Sequence, residues 1–158
     1  METEDLLRQF PPLRCGMYNL TIQWKNNSPF VYDNWRKHYV KLTPEEWVRQ
    51  HFLHYAVQEK HFPSSRLHLE YEIVIYGRKK RIDCLVYDEK FIPFVLIECK
   101  APTVAITQRA MQQIGSYNLN LKVPHLILTN GNTIVYSQTI NHVQHISDEL
   151  PDFTTLQH

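Results

Sequence analysis

Two acids and a lysine are spaced so that they could meet at one site. Phe94-Val95-Leu96-Ile97 is a short apolar run, typical of a strand buried on both faces, and it continues directly into Glu98, Cys99 and Lys100. Because side chains alternate along a strand, Glu98 and Lys100 share one face and Cys99 takes the other. A carboxylate and an ammonium at the end of a core strand are costly to desolvate unless they are paired or bind something. This stretch therefore predicts a site.

Asp83 is predicted to lie beside Glu98. Residues 81–87 and 91–100 are predicted strands, and the short turn between them makes them antiparallel neighbours. Two unit charges about 4 Å apart repel by roughly 4 kcal/mol at an effective dielectric near 20. The pair is therefore compatible with a protonated carboxylate, with screening by Lys100, or with a divalent cation such as Mg²⁺ or Mn²⁺. Without metal, Asp83→Asn is expected to match or exceed the wild type in stability, because it removes this repulsion.

Composition predicts a single globular domain. The chain has 158 residues, of which 43% are hydrophobic and 21% charged. We expect an N-terminal arm over residues 1–16 and one domain over residues 17–158, with a core at about 43–138. A net charge of only +1 excludes a protein that binds nucleic acid through bulk positive charge. Three cysteines without a C-x-x-C pair, no long apolar run and no signal-peptide pattern predict a cytoplasmic protein with no membrane partner.

Capping and alternation patterns predict the order of the elements. Alternating residues from Tyr18 to Trp24 and the run 30–32 predict an N-terminal hairpin. Thr43 is a predicted N-cap, and the helix that follows it is expected to run to about Lys60. We then predict strands over 67–76, 81–87 and 91–100, a helix from Thr107 to about Leu121, strands over 125–129 and 133–136, and a short helix within 141–150.

Three acids and a basic cluster have two interpretations each. Glu46 either completes a capping box with Thr43 or contributes a carboxylate to a site. Glu70 and Glu72 share a strand face, where they either support a metal or are solvated. The cluster Arg78-Lys79-Lys80-Arg81 is predicted in a turn after Gly77, where it either contacts phosphate or solubilises the tip of a hairpin.

The block from Asp83 to Glu98-Cys99-Lys100 resembles the signature of the PD-(D/E)XK nuclease superfamily, with Ile82-Asp83 where the superfamily name has Pro-Asp. Gln113-Ile114-Gly115-Ser116-Tyr117 is similar to the Gln-x3-Tyr motif of its RecB-like branch. The segment 43–50 is similar to the first helix of the N-terminal nuclease domain of type I restriction enzyme R (motor) subunits. The resemblance covers roughly residues 30 to 138.

The resemblance implies a fold and a set of roles. The fold is α/β (α+β), with a restriction-endonuclease-like αβββαβ core whose mixed central sheet is flanked by helices, here with an added N-terminal β-hairpin. Asp83, Glu98 and the backbone carbonyl of Cys99 would bind Mg²⁺ or Mn²⁺, and Lys100 would orient water or stabilise charge. Gln113 would contact the attacking water or the DNA backbone, with Tyr117 nearby. Both residues also have a structural interpretation, as a buried amide and a core tyrosine.

The predicted function is a metal-dependent nuclease that hydrolyses DNA phosphodiester bonds. The alternative is a catalytically silent DNA-binding or assembly module of the same fold. No G-x4-G-K-[ST] phosphate loop occurs, so any ATP-driven step needs a separate motor or specificity protein as partner. DNA is the expected substrate, and a homodimer is a further option.

Overall fold

A computed structural model describes residue 5 and residues 8–158 of the chain. The predicted α/β architecture is confirmed: a six-stranded mixed sheet is flanked by two long helices, and a separate three-stranded sheet lies at the N-terminal side. The elements, in chain order, are β1 (Ile22–Lys25), β2 (Ser28–Asp33), β3 (His38–Lys41), α1 (Pro44–Lys60), β4 (Leu67–Ile75), β5 (Arg78–Tyr87), β6 (Pro93–Cys99), α2 (Gln108–Leu121), β7 (His125–Thr129), β8 (Ile134–Ile140) and β9 (Val143–Ser147).

The central sheet has the strand order β4-β5-β6-β7-β8-β9. Only β6 and β7 pair in parallel, because α2 carries the chain back across the sheet between them. All other neighbours are antiparallel and are joined by short turns. β6 is buried along almost its whole length, which explains its continuous apolar run.

Both long helices begin at the predicted residues. The Thr43 hydroxyl accepts a hydrogen bond from the Glu46 amide, and the Thr107 hydroxyl accepts one from the Ala110 amide. Helix α1 lies between the small sheet and the central sheet, so eight consecutive residues from Glu46 to Leu53 are buried. Fully buried side chains such as Phe52 stabilise the fold by about 1.5–3 kcal/mol each relative to exposure.

The predicted N-terminal arm is packed where the structure describes it. Residues 1–4, 6 and 7 lie outside the described residues. Phe10, Leu13 and Cys15 are buried in the core. The Cys15 amide donates to the carbonyl of Gly131 at 2.9 Å. Glycine is required at that contact, because its φ is +86° and a Cβ would lie 2.9 Å from Leu13 Cδ1.

The predicted N-terminal hairpin is confirmed as β1–β2, and β3 adds a third strand to it. Two local predictions were wrong. The predicted helix within 141–150 is instead the edge strand β9, since Asn141 and His142 both have positive φ and form the tight turn of a β8–β9 hairpin. The cluster 78–81 lies within β5, and the turn before it consists of Tyr76 and Gly77.

No helix among residues 5 and 8–158 is long and apolar enough to cross a membrane.

Candidate active site

The β4–β5 ladder is interrupted at one pair of acids. Leu69 pairs with Cys84 and Tyr71 with Ile82, but the intervening Glu70 has φ +56°. A glutamate in this region inside a strand is uncommon and costs on the order of 1 kcal/mol. The turn in the backbone reverses the faces of β4: residues before Glu70 pack on the α1 side and residues after it on the α2 side. Glu70 itself is directed towards arginines.

The β5–β6 ladder also stops at this level. The last regular pair is Cys84 with Ile97. Beyond it, the Asp83 amide donates to Glu98 Oε1 at 3.1 Å, and the Cys99 amide donates to Asp83 Oδ2 at 2.6 Å. Two carboxylates thus replace backbone carbonyls as acceptors between the strands. The structure brings Asp83 and Glu98 together, as the hairpin predicts.

The guanidinium of Arg49 compensates the negative charges buried at this site. Its Nη2 lies 2.5 Å from Asp83 Oδ1, while its Nη1 lies 2.8 Å from Glu46 Oε2 and 2.9 Å from Glu70 Oε1. Burial alone would lower the pKa of the guanidinium, but the carboxylates of Asp83 and Glu46 raise it overall, so Arg49 is a permanent cation. Its Nε is buried and has no hydrogen-bond partner within the described part of the chain.

The sequence analysis missed Arg49, although a signal was present. Arg49 lies three residues before Phe52 and seven before Ala56, on the apolar face predicted for α1. A charged residue on an apolar helix face is expected to have a buried partner. Gln50 is also fully buried and donates to Asp33 Oδ2 at 2.8 Å, but it lies on the opposite side of the helix from that predicted face, so the pattern gave no signal for it.

Three side chains hold the carboxylate of Glu46. It accepts hydrogen bonds from Arg36 at 2.5 Å, Arg49 at 2.8 Å and Gln50 at 2.9 Å rather than from the Thr43 amide that a capping box requires, and its contribution to a site stays a prediction. Glu45 is electrostatically coupled to the acid pair. Burial first, and then the charge of Asp83, raise the pKa of Glu45, while Arg49 and Lys100 oppose the rise.

Glu98 is the acid of the pair whose pKa is raised. Burial first, and then the neighbouring Asp83, raise the pKa of Glu98 well above its usual range, and the charge of Lys100 opposes this. In the metal-free protein the raised pKa favours the protonated form of Glu98, and the charge of Lys100 opposes it. Lys100 is half-buried and forms no ion pair with residues that the structure describes, so its ammonium is available to a ligand.

Helix α2 places the Gln-x3-Tyr residues beside the acids. Tyr117 is half-buried, and the pKa of its hydroxyl is raised first by burial and then by the charge of Glu98. Gln113 lies next to that hydroxyl and is exposed. The structural interpretation of Gln113 as a buried amide is therefore wrong, whereas Tyr117 packs against the buried cluster that includes Ile114.

The basic cluster is divided between two faces of β5. Lys79 Nζ lies 3.3 Å from Glu72, and Arg81 Nη1 lies 3.0 Å from Glu70, so these two are paired. Arg78 and Lys80 have no acidic partner among the described residues. They line a cavity of about 490 Å³ together with Gln113 and Tyr117.

The donor set fits a hard divalent cation. No group of three or more His, Cys, Asp or Glu side chains within the described residues forms a ready-made cage. Mg²⁺, however, is usually held by one or two carboxylates together with water and substrate phosphate. Asp83 Oδ1 and Glu98 Oε1 each accept one hydrogen bond in the structure, and a carboxylate oxygen has two lone pairs. The role of the Cys99 carbonyl stays a prediction.

Comparison with known proteins places the chain in a family. Residues 44–153 match the family model of the type I restriction enzyme R protein N terminus. The chain belongs to this family. Among curated proteins there is no significant match.

One solved structure shows the same fold as this member of the R-protein N-terminus family, and a second is reported for comparison. A fragment described as an HsdR subunit of a type I restriction enzyme from Vibrio vulnificus YJ016 is 19% identical, with a TM-score of 0.53. The match covers 68% of this chain and 23% of that one, so the chain spans about a quarter of its length. A crystal structure described as a nuclease of DUF820 from Anabaena variabilis ATCC 29413 is 11% identical, with a TM-score of 0.45 over 94% of this chain and 85% of that one.

Proposed function

We propose that this chain is a nuclease domain that hydrolyses DNA phosphodiester bonds with Mg²⁺ or Mn²⁺. Family membership supplies the restriction-enzyme context. In that context, an ATP-dependent motor or a specificity protein would deliver the DNA. A homodimer is a further possible arrangement.

The observation that carries the proposal is the paired break in the sheet ladders at Asp83. A purely structural sheet would continue its backbone hydrogen bonds there. Instead, the site has two adjacent carboxylates, of which Glu98 has a raised pKa, and Lys100, which forms no ion pair with the described residues. Perturbed acids beside a free cation in a partly open position are typical of catalytic sites.

The charge and position of each residue suit it to a different role in hydrolysis. Asp83 and Glu98 would hold the cation, which when bound polarises the scissile phosphate and lowers the pKa of a water. Lys100 would donate to a phosphate oxygen and stabilise the charge that develops there. Gln113, exposed beside Tyr117, would orient the attacking water. Arg49 is a positioning residue, since its two ion pairs with Asp83 and Glu70 fix the strand pair at the break.

One observation favours the rival function, a silent DNA-binding or assembly module. Arg49 supplies Asp83 with a positive partner, so the fold can tolerate this acid without a metal. In that case Asp83 would be structural, and Lys100 would serve only to bind phosphate.

The test compares cleavage by two lysine variants at low salt. Wild type should nick or cut plasmid, linear duplex or single-stranded DNA with Mg²⁺ or Mn²⁺. Lys100→Met retains the length of the side chain and loses its charge, so the cleavage rate should fall by at least about 100-fold, while DNA affinity stays nearly unchanged. The exposed Lys41→Met is the matched control and should retain full activity. Ca²⁺ should support binding without cleavage, because its looser coordination positions water poorly.

Two results separate the proposal from its rival. If wild type binds DNA but never cuts it, alone or with a motor partner, the module interpretation is correct. Equal activity of Lys100→Met and Lys41→Met would remove Lys100 from the chemistry.

A further inference from the structure

The cavity at the tip of the β4–β5 hairpin shares Gln113 and Tyr117 with the candidate active site, but neither Asp83 nor Glu98 lines it. Its walls come from two elements. Tyr76, Arg78 and Lys80 belong to the hairpin, and Gln113, Ser116 and Tyr117 belong to α2. We call this space, of about 490 Å³, the hairpin–helix cleft. Asn120 Nδ2 donates to the Val74 carbonyl at 2.9 Å and ties the helix to the hairpin.

The cleft carries two uncompensated positive charges. Arg78 and Lys80 are two residues apart on β5 and therefore share a face, roughly 7 Å apart along the strand. Their neighbours Lys79 and Arg81 take the opposite face, where Glu72 and Glu70 neutralise them. The reversal of faces at Glu70 turns the outer half of the hairpin towards α2. For this reason Arg78 and Lys80 lie on the α2 side of β5. An anionic ligand with regularly spaced charges fits this face.

An aromatic ring stands beside these charges. Tyr76 is 89% exposed and sits in the turn with φ +49°. An aromatic side chain so open to solvent gains little for the fold, but it offers a flat face to a ligand. Aromatic rings beside cations are the usual platform for single-stranded nucleic acids, because every base can stack on them.

The cleft leads to the acid pair through Tyr117. This side chain lines the cleft and is close enough to Glu98 to sense its charge. A chain of nucleotides passing over Arg78 and Lys80 would thus approach Asp83 and Glu98 along α2.

We propose that the hairpin–helix cleft binds a single-stranded segment of DNA, with its phosphates on Arg78 and Lys80 and one base against Tyr76. This inference rests on the proposed function, because it names the form of DNA presented to Asp83 and Glu98. The volume suits a ligand of about one nucleotide, within the usual range of roughly 300–1,000 Å³ for small-molecule sites. A duplex keeps its bases stacked and paired, so no base is free to stack on Tyr76.

The experiment measures binding of the full chain in EDTA, so that cleavage does not enter. Fluorescence anisotropy follows a labelled single-stranded oligonucleotide and the matching duplex at low salt. Wild type should prefer the single strand by about fivefold or more. Arg78→Gln/Lys80→Gln should weaken that binding by about tenfold and reduce the slope of log affinity against log salt by about 1.4, as expected for two lost phosphate contacts. The charge-matched control Lys79→Gln/Arg81→Gln should change affinity by less than about twofold, because its cations are already paired.

Tyr76 tests the stacking part separately. Tyr76→Ala should weaken single-strand binding by about fivefold, and Tyr76→Phe should restore it, since stacking needs the ring and not the hydroxyl. An oligonucleotide without bases should bind wild type and Tyr76→Ala equally.

Equal losses in the two double variants, or a duplex bound as tightly as the single strand, would overturn the inference. If wild type cleaves DNA but does not prefer a single strand, the inference about the hairpin–helix cleft is wrong and the nuclease proposal is unaffected. Single-strand binding that follows the predicted pattern, without any cleavage, would support the cleft and contradict the nuclease.

Discussion

The two ends of β6 bury polar groups in opposite ways. At its beginning, Phe94 packs edge-on against the buried His125, with ring centroids 4.7 Å apart. His125 Nε2 donates to the Gln157 carbonyl at 2.8 Å, which leaves Nδ1 to accept from the Tyr136 hydroxyl at 2.7 Å. Burial lowers the pKa of His125, so its ring is neutral and each ring nitrogen has a partner.

At the other end of β6, the buried groups are charged and incompletely paired. Asp83 is satisfied, but Arg49 Nε has no partner within residues 5 and 8–158, and Glu98 carries a raised pKa. Neutral hydrogen-bond networks in which every polar atom has a partner stabilise a core. Buried acids that lack a full set of partners are instead typical of sites that bind a ligand. The contrast supports a structural role for the His125 end and a functional one for the Glu98 end.

The largest expected effect on stability comes from breaking the Arg49 pair. Asp83→Asn should lower the free energy of unfolding of the metal-free protein by on the order of 3 kcal/mol, because it leaves a buried guanidinium undercompensated. This reverses the expectation from the sequence, which considered only the repulsion between Asp83 and Glu98. Urea unfolding in EDTA measures it, and an unfolding free energy equal to that of wild type would show that Glu46 and Glu70 alone satisfy Arg49.

A smaller effect on stability is expected at the His125 end of β6. Tyr136→Phe removes the hydroxyl that donates to His125 Nδ1 and should cost about 1 kcal/mol, without loss of nuclease activity. The same urea experiment and the plasmid assay check both parts. Loss of cleavage at wild-type stability would contradict the division between the two ends.

The smallest effect is a change in pH dependence at Glu98. Its folded pKa lies above the value of about 4.3 for a free glutamate, so the folded protein holds a proton that the unfolded chain has released. The stability contributed by protonated Glu98 is present below about pH 4 and is lost as the pH rises through the raised folded value. Glu98→Gln should therefore fall less in unfolding free energy between about pH 5 and 8 than wild type.

The exposed Glu72→Gln serves as the control for that experiment and should retain the wild-type slope. Identical slopes in all three proteins would mean that Glu98 is ionised throughout and that Arg49 and Lys100 fully compensate it.

Local signals in the sequence predicted the core of the fold. The Thr43 and Thr107 caps, the apolar run of β6 and the short turn between β5 and β6 each determine a local structure, and together they give the αβββαβ order and the meeting of Asp83 with Glu98. The features that escaped prediction depend on distant partners. Nothing in the local sequence around Glu70 indicates positive φ, because the arginines that hold its carboxylate come from α1, from the turn after β2 and from β5.

The edge of the sheet was also beyond local prediction. β9 is exposed along its length, so it lacks the apolar alternation that marks a half-buried strand, and its pairing with β8 follows from the tight turn at Asn141 and His142. The basic cluster at 78–81 was recognised, but the face reversal that divides it requires the backbone of Glu70.

The most direct test of the account is whether a divalent cation binds at Asp83 and Glu98. The melting temperature of each protein is measured in EDTA and in Mn²⁺, since a cation that binds only the folded state stabilises it by about 2.7 kcal/mol at a hundred times its dissociation constant. We predict that Mn²⁺ raises the melting temperature of wild type and of Lys100→Met, and that the rise disappears in Asp83→Asn and in Glu98→Gln. An equal rise in Glu98→Gln and wild type would place the ion elsewhere and contradict the proposed active site.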